Sequence, residues 1–261
     1  MICPLCENRR GLPANGEVWV RCPACEALVF CSNGGPRVLL GHESDELAVQ
    51  LGTVLYQAGF QPLRAANGSQ VLQLLAAHRP RAVVLDVAIP EVMSFQIVEY
   101  VRGHAELGQT KIVLVASVFN AAAYKRRPHT LYGADDYVEQ HHIPDMLPKK
   151  LSRLLGTPLP SSAGPPPTTI ANAPETAMAS AHAGYDGVLA VARAIIADIA
   201  LYNETEFLAY VTTRNLEPLH AALTEGRRLL AEQVAPERYA GRDPVLEAFH
   251  HFLKELESRG S

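Results

Sequence analysis

The sequence lacks the features that membrane, secreted and nucleic-acid-binding proteins share. No apolar run approaches the roughly 20 residues of a membrane helix, and no segment has the basic excess that phosphate backbones or anionic membranes attract. The formal net charge is -4 over 261 residues. A cysteine pair already begins at residue 3, which leaves no room for a signal peptide. We therefore expect a cytoplasmic protein that neither enters a membrane nor binds nucleic acid.

Sequence motifs of the common enzyme classes are also absent. The chain has no glycine-rich phosphate loop, no nucleophile elbow and no HExxH pattern. With 48% hydrophobic and 19% charged residues it has the composition of a globular protein, and its length suits two or three domains. We therefore expect a protein that is not an enzyme.

Four of the five cysteines form two CxxC pairs, Cys3 with Cys6 and Cys22 with Cys25, separated by fifteen residues. In a reducing compartment such pairs bind metal rather than form disulfides, and this spacing matches the zinc-ribbon pattern. We predict that the four thiolates hold a structural Zn²⁺ in a closed tetrahedral site without catalytic function. Residues 1–35 would form this ribbon, and its folding would depend on the metal because so short a segment has little core.

The predicted ribbon resembles the short zinc ribbons at the N-termini of many bacterial regulatory proteins. It differs from them at Glu7 and Glu26, which occupy positions where such knuckles often have glycine. Cys31 has no partner in the pattern, and we expect it to be a small buried apolar residue.

The chain between residues 37 and 155 alternates between short apolar runs and amphipathic segments. The apolar runs predict strands at 37–40, 61–65, 82–86, 111–116 and 136–138. The segments between and after them predict helices at 45–58, 69–78, 94–102, 121–132 and 144–155. Such alternation predicts an α/β fold with a five-stranded, doubly wound parallel sheet and ligand sites at the carboxyl ends of the strands.

Two stretches within residues 36–156 carry a resemblance to a known family. The run VVLDVAIPEVMSF (83–95) and the run GADDY (133–137) resemble those of receiver domains from bacterial two-component signalling. The resemblance implies the flavodoxin-like receiver fold and puts Asp86 in the position of the phospho-acceptor, with Mg²⁺ as the cofactor of phosphorylation.

The positions that support phosphorylation in receivers have changed in this chain. The acidic pair after the first strand is His42 and Glu43, so only one carboxylate remains. The hydroxyl position at the end of the fourth strand is Ala116, with Ser117 one place later. The Lys-Pro pair after the fifth strand is replaced by Gln140 and His141.

These changes remove partners that phosphoryl transfer needs. Transfer to a carboxylate requires Mg²⁺ held by acidic groups, and each lost partner should cost on the order of 1–3 kcal/mol. We therefore interpret residues 36–156 as a pseudo-receiver, with phosphorylation of Asp86 in the presence of Mg²⁺ as the alternative. His42, His141 and His142, together with the carboxylates of Asp86 and Glu43, would suit a transition-metal ion. The simpler interpretation is that these histidines form hydrogen bonds in loops.

The C-terminal part of the chain has two different compositions. Residues 157–184 are rich in Pro, Ser, Thr and Ala, which predicts a disordered tether. From residue 185 onward, apolar residues recur with helical spacing and predict four helices, the last opened by Asp243 as cap and Pro244 as first residue. So small a bundle is marginal alone, so we predict that residues 185–261 mediate homodimerisation, with a self-contained monomer as the alternative.

These interpretations combine into one expected function and two alternatives. We expect a signalling adaptor that acts through contacts with other signalling proteins. The first alternative is a working response regulator that is phosphorylated on Asp86. The second is a regulator that binds nucleic acid through its zinc ribbon, although no helix-turn-helix candidate accompanies the ribbon and residues 1–35 carry three basic and three acidic groups.

Overall fold

The computed structural model describes residues 2–8, 18–116, 131–159 and 184–257, without the side chain of His141. They form two compact units, one containing residues 2–8, 18–115 and 132–159 and the other containing the C-terminal helices. Most of the predicted tether, Ser117, and residues 121–130 of a predicted helix lie outside the described residues. The limits of the four predicted segments, 1–35, 36–156, 157–184 and 185–261, stay predictions.

The first unit contains a small hairpin and a five-stranded sheet. The hairpin pairs β1 (Trp19–Arg21) antiparallel with β2 (Leu28–Phe30). The strands of the larger sheet are β3 (Arg37–Gly41), β4 (Gln61–Ala65), β5 (Ala82–Asp86), β6 (Lys111–Ala116) and β7 (Asp136–Glu139). Their order is β4-β3-β5-β6-β7, and β3 runs parallel to β4 and β5, as β5 does to β6. This is the flavodoxin-like order, so the predicted fold class is confirmed.

Four helices of the first unit connect or follow these strands: α1 (Asp45–Gln57), α2 (Gly68–His78), α3 (Ser94–Gly103) and α4 (Ile143–Leu155). Side-chain caps define two of their starts. Ser44 Oγ accepts the Leu47 amide at α1, and Asn67 Oδ1 accepts the Gln70 amide at α2. These bounds lie within one residue of the predicted ones.

The sheet is central because its middle strands are apolar on both faces. Every residue of β5 is buried, which is the pattern of a strand covered by helices on both sides. On one face, alternate residues of β3, β5 and β6 pack against α1 and α4 and form one continuous core: Val38, Leu40, Val84, Val113, Val115, Leu47, Leu51, Leu55, Leu147 and Leu151.

The GADDY run contains an acid that joins three elements. The Asp135 carboxylate accepts the Ile112 amide at 2.8 Å, Arg102 Nη2 at 2.6 Å and Lys111 Nζ at 3.2 Å. Burial alone would raise the pKa of Asp135, but the Ile112 amide and the two cations outweigh it and lower the pKa below the ordinary aspartate value. Asp135 therefore fixes the start of β6 to the end of α3.

The structure corrects one predicted helix end. The helix expected to reach Tyr132 is not helical there, because Leu131–Gly133 form a 3₁₀ turn in which Tyr132 has a φ of 53°. The Tyr132 ring packs near Phe95, with ring centroids 5.8 Å apart. Strand β2 was not predicted, because a three-residue strand leaves too short a pattern to recognise.

The second unit contains α5 (Tyr185–Tyr202), α6 (Glu204–Thr213), α7 (His220–Gln233) and α8 (Pro244–Glu257). Helix α5 packs against α7 and α8 and is buried on nearly every side. The predicted cap of α8 is confirmed, since Asp243 Oδ1 accepts the Leu246 amide at 3.1 Å. Helix α7 starts at His220, directly after a separate 3₁₀ turn formed by Glu217–Leu219.

The apolar faces that motivated the predicted dimer are buried within the single chain. Among the described residues of the second unit, Leu208 is the large apolar side chain that stays exposed, at 43%. Single exposed apolar residues are normal on protein surfaces. Homodimerisation stays a prediction, and the described surface adds no support for it. No helix in the described parts of the chain is long and apolar enough to cross a bilayer.

Candidate metal centre and receiver pocket

The four predicted metal ligands lie together. The sulfur atoms of Cys3, Cys6, Cys22 and Cys25 all lie within 4.8 Å of one another. Cys3 Sγ is 3.7 Å from Cys25 Sγ, and Cys6 Sγ is 3.5 Å from Cys22 Sγ. These separations exceed a disulfide bond of about 2.05 Å but match the edge of a tetrahedron with metal–sulfur bonds of about 2.3 Å. The donor set therefore fits a tetrahedral thiolate-binding metal ion.

The two CxxC turns have the same backbone geometry. The Glu7 amide donates to the Cys3 carbonyl at 2.9 Å, and the Glu26 amide donates to the Cys22 carbonyl at 2.7 Å. Glu7 and Glu26 both have a φ of 57°. Both glutamates thus adopt the left-handed conformation that explains why glycine is common there in related knuckles.

The protonation of the thiols differs between the ligands. Burial raises the pKa of Cys3, whereas the backbone amide of Ala24 is the main cause that lowers the pKa of Cys22 to about 6. Four thiolates so close together repel one another, and a divalent cation relieves that repulsion. Cys31 is buried apart from this cluster, as expected.

The second candidate site is centred on Asp86 at the carboxyl end of β5. Asp86 is 6% exposed, and its Oδ1 accepts the Ala88 amide at 3.1 Å. His42, directly after β3, is 7% exposed and places Nε2 3.5 Å from Asp86 Oδ2. Because β3 and β5 are parallel neighbours, their carboxyl ends meet at one edge of the sheet. An imidazole therefore contacts the acid where receivers have a carboxylate.

The tautomer of His42 follows from its second nitrogen. The Ser44 amide lies 3.0 Å from His42 Nδ1, and an amide can only donate, so Nδ1 accepts. In the neutral ring the proton is then on Nε2, which faces Asp86. In this tautomer His42 points an N–H group toward Asp86 across the 3.5 Å contact. It can offer an Nε2 lone pair to a metal only if the contact with Ser44 breaks.

A buried arginine that sequence reasoning missed holds the loop between β3 and α1. Arg64 Nη2 donates to the carbonyl of His42 at 3.1 Å and to that of Glu43 at 2.9 Å, and it pairs with Asp45 Oδ1 at 2.8 Å. Burial lowers the pKa of Arg64, and Asp45 opposes this effect. A charged residue in the otherwise apolar β4 was the available signal, since a buried charge needs partners.

The other predicted pocket residues have different positions. Glu43 is exposed, Ala116 is fully buried at the end of β6, and Gln140 is half-buried in a 3₁₀ turn after β7. Ser117 and the side chain of His141 lie outside the described residues. Among the described side chains only the four cysteines form a potential metal cluster, so His42, Glu43, Asp86 and His142 do not assemble the alternative transition-metal site.

Part of the chain is similar in sequence to known response regulators. No protein-family model matches the chain. The polar-differentiation response regulator DivK of Brucella anthropi is 28% identical over 83 residues, which cover 31% of this chain and 68% of DivK. Other curated relatives are matched over 45% to 62% of their own length, which is less than two thirds.

Solved receiver structures are also similar to this chain. The chemotaxis response regulator CheY4 of Vibrio cholerae is 24% identical, with a TM-score of 0.41 over 46% of this chain and 99% of that one. The receiver domain of the sensor histidine kinase PA1611 of Pseudomonas aeruginosa, which holds a magnesium ion in its active-site cleft, is 18% identical, with a TM-score of 0.42 over 47% of this chain and 99% of that one. The sequence similarity to curated response regulators and the strand order of the sheet together describe the central domain as receiver-like.

Proposed function

We propose that this protein is a non-enzymatic signalling adaptor whose receiver-like domain binds partner proteins without being phosphorylated. The observation that carries the proposal is the imidazole of His42, held by the Ser44 amide with its Nε2 proton toward Asp86. In a pocket that is phosphorylated on a carboxylate, Mg²⁺ and its carboxylate ligands would occupy the position that the His42 ring occupies here.

The charge balance of the pocket supports the same proposal. Mg²⁺ requires hard oxygen ligands in nearly octahedral geometry. Here Asp86 is the buried carboxylate, Glu43 is exposed, and His42 presents a proton. Gln140 and Ala116 supply neither a positive charge nor a hydroxyl for a phosphoryl group. Among the residues that the structure describes, an acyl phosphate on Asp86 would thus lack its cation, its hydroxyl donor and its lysine.

We also assign a structural role to the four-cysteine site. Zn²⁺ suits the tetrahedral sulfur set, and four thiolates leave no open position for a substrate. The four metal-binding cysteines form no disulfide, which suits a reducing compartment such as the cytoplasm. Partners are other signalling proteins, as expected from the resemblance to receivers. Zinc in this role supplies folding energy to the ribbon.

A phosphodonor assay tests the proposal. The full zinc-loaded chain is incubated with acetyl phosphate and Mg²⁺, and its intact mass is measured beside that of the Asp86→Asn variant. We expect both masses to stay unchanged. A phosphoryl adduct on the unmodified chain that disappears in Asp86→Asn would refute the adaptor and establish the working response regulator, the second candidate favoured by the retained acid at the end of β5.

A further inference from the structure

The β1–β2 hairpin of the ribbon packs directly on the receiver-like domain. The Phe30 ring lies over Gly52 of α1, where an added Cβ would be 2.0 Å from the ring. On the edge strand β4, the Gln61 side chain donates to the Cys31 carbonyl at 3.0 Å and accepts the Asn33 amide at 2.8 Å. Apolar and polar contacts together fix the hairpin to this edge of the sheet.

The first metal-binding turn contacts the receiver-like domain directly, and the second turn contacts Arg21 of the hairpin. His78 Nε2, in the last turn of α2, lies 3.3 Å from the carbonyl of Pro4 in the first turn. Arg21, directly before the second turn, donates from Nη1 to the carbonyl of Glu26 at 3.3 Å. Each metal-binding turn thus contacts a side chain outside it, His78 for the first turn and Arg21 for the second.

Arg21 continues the connection into the receiver pocket. Its Nη2 pairs with Oδ2 of Asp45, the first residue of α1, and Oδ1 of the same carboxylate pairs with Arg64 Nη2 at 2.8 Å. Arg64 in turn donates to the carbonyls of His42 and Glu43. An unbroken chain of contacts thus runs from the second metal-binding turn to the histidine on Asp86.

In this series of contacts, Asp45 is the residue that the ribbon can influence. Arg64 is buried, and Asp45 is the acid that compensates its charge. The Asp45 side chain is 41% exposed and is held on its outer side by Arg21. Without metal the ribbon has too small a core to keep its turns folded, so Arg21 would lose its anchor at Glu26.

We propose that metal occupancy of the four-cysteine site regulates the receiver pocket. Bound metal holds Arg21 on Asp45 and keeps the β3–α1 loop closed, with His42 on Asp86. Loss of the metal releases this loop and uncovers Asp86, so the ribbon is an input to the surface that partners bind. The inference rests on the proposed function only where it assigns partners to the pocket, and the coupling is a free energy between two distinct sites.

Hydrogen exchange measured by mass spectrometry on the full chain tests the coupling. The amides of His42, bonded to the Ala65 carbonyl, and Ser44, bonded to His42 Nδ1, report the closed loop. After zinc is removed by a chelator, we expect these amides to exchange about fivefold to tenfold faster, as expected for the loss of roughly one hydrogen bond. The amides of β6 should be unchanged.

Two variants break the link while zinc content is monitored. Arg21→Ala and Asp45→Asn remove the same ion pair from its two sides, and the second leaves the metal-binding turns untouched. With zinc bound, both should show the fast exchange of the loop. Arg153→Ala removes the pair between the exposed Arg153 of α4 and Asp136 of β7, which keeps Lys150 as a partner, and is the matched control that should behave like the unmodified chain.

Three outcomes would overturn the coupling. They are unchanged loop exchange after zinc removal, equal acceleration in β6, and a slow loop in Asp45→Asn with zinc bound. The phosphodonor assay is independent of these readouts. Phosphorylation of Asp86 would end the adaptor proposal and leave the exchange result intact, so the two failures are distinguishable.

Discussion

If the proposed function is correct, replacing His42 by aspartate should create a Mg²⁺ site that the unmodified pocket lacks. His42 Nε2 is 3.5 Å from Asp86 Oδ2, and both side chains are more than nine-tenths buried. In His42→Asp a second carboxylate faces Asp86 at the same edge of the sheet, with Glu43 next in sequence. Such a set of oxygen ligands is what Mg²⁺ prefers.

The cost of this substitution without a cation follows from the short distance. Two carboxylates about 4 Å apart, at an effective dielectric constant of about 20, repel by about 4 kcal/mol. Protonating one of them at pH 7 from an ordinary pKa near 4 also costs about 4 kcal/mol. Relaxation lowers both figures, so we expect a loss of about 2–4 kcal/mol in the free energy of unfolding. Mg²⁺ at ten times its dissociation constant would return about 1.4 kcal/mol.

Urea unfolding followed by circular dichroism, with and without Mg²⁺, measures this change. His42→Asn is the matched control, because it removes the imidazole without adding a charge and should not respond to Mg²⁺. A wild-type chain stabilised by Mg²⁺ as strongly as His42→Asp would refute the reasoning. An aspartate variant that is stabilised no more than His42→Asn would refute it equally.

Three further changes test the packing within each of the two units. Gly52→Ala should weaken the ribbon's docking by about 1–3 kcal/mol, because the new Cβ would clash with Phe30. Gly103→Ala is the control: its new Cβ meets nothing within 4 Å, so the variant should be neutral or stabilised by up to about 1 kcal/mol. Coinciding urea midpoints of the two variants would contradict this prediction. Asp135→Asn should lower the free energy of unfolding by about 1–3 kcal/mol at pH 7. Because the pKa of Asp135 is lowered in the folded state, this difference from wild type should shrink as the pH falls below the ordinary aspartate pKa. A difference that stays constant down to pH 2 would disprove the prediction. Phe207→Ala removes edge-on ring contacts to Phe249 and Phe252, whose centroids are 5.5 and 5.3 Å from that of Phe207. The variant should lower the free energy of unfolding of the helical unit by about 3–5 kcal/mol. A thermal midpoint within error of wild type would exclude a major packing role for Phe207.

The strands of the receiver-like domain could be predicted because their physical signals are local. Each is a short apolar run between turn residues, and the predicted bounds of Gln61–Ala65 and Lys111–Ala116 are those observed. The helix starts were also readable, because side chains such as Asn67 and Asp243 accept amides only a few residues away.

The docking of the ribbon could not be predicted, since its signals are distributed over distant residues. Gly52 inside an amphipathic helix is the one local irregularity, and only the fold shows that Phe30 fills the space above it. The role of Arg64 is similar. Its charge in an apolar strand calls for partners, but the sequence cannot tell which carbonyls will meet it across neighbouring strands.

The candidate pocket was partly predictable for the same reason. Parallel strand order brings the position after β3 next to the end of β5, so the proximity of His42 and Asp86 follows from topology. The direction of the imidazole does not, because it depends on the Ser44 amide in the following turn. That single hydrogen bond distinguishes a donor to Asp86 from a metal ligand.

The most direct test of the central claim is the long-range ¹H–¹⁵N correlation spectrum of the histidine side chains, with His42 assigned by its loss in His42→Asn. We predict the neutral Nε2–H tautomer for His42, and signals of His42 and of the Ala88 amide that do not move when Mg²⁺ and beryllofluoride are added. A saturable shift of both signals with Mg²⁺, or an Nδ1–H tautomer, would contradict the account.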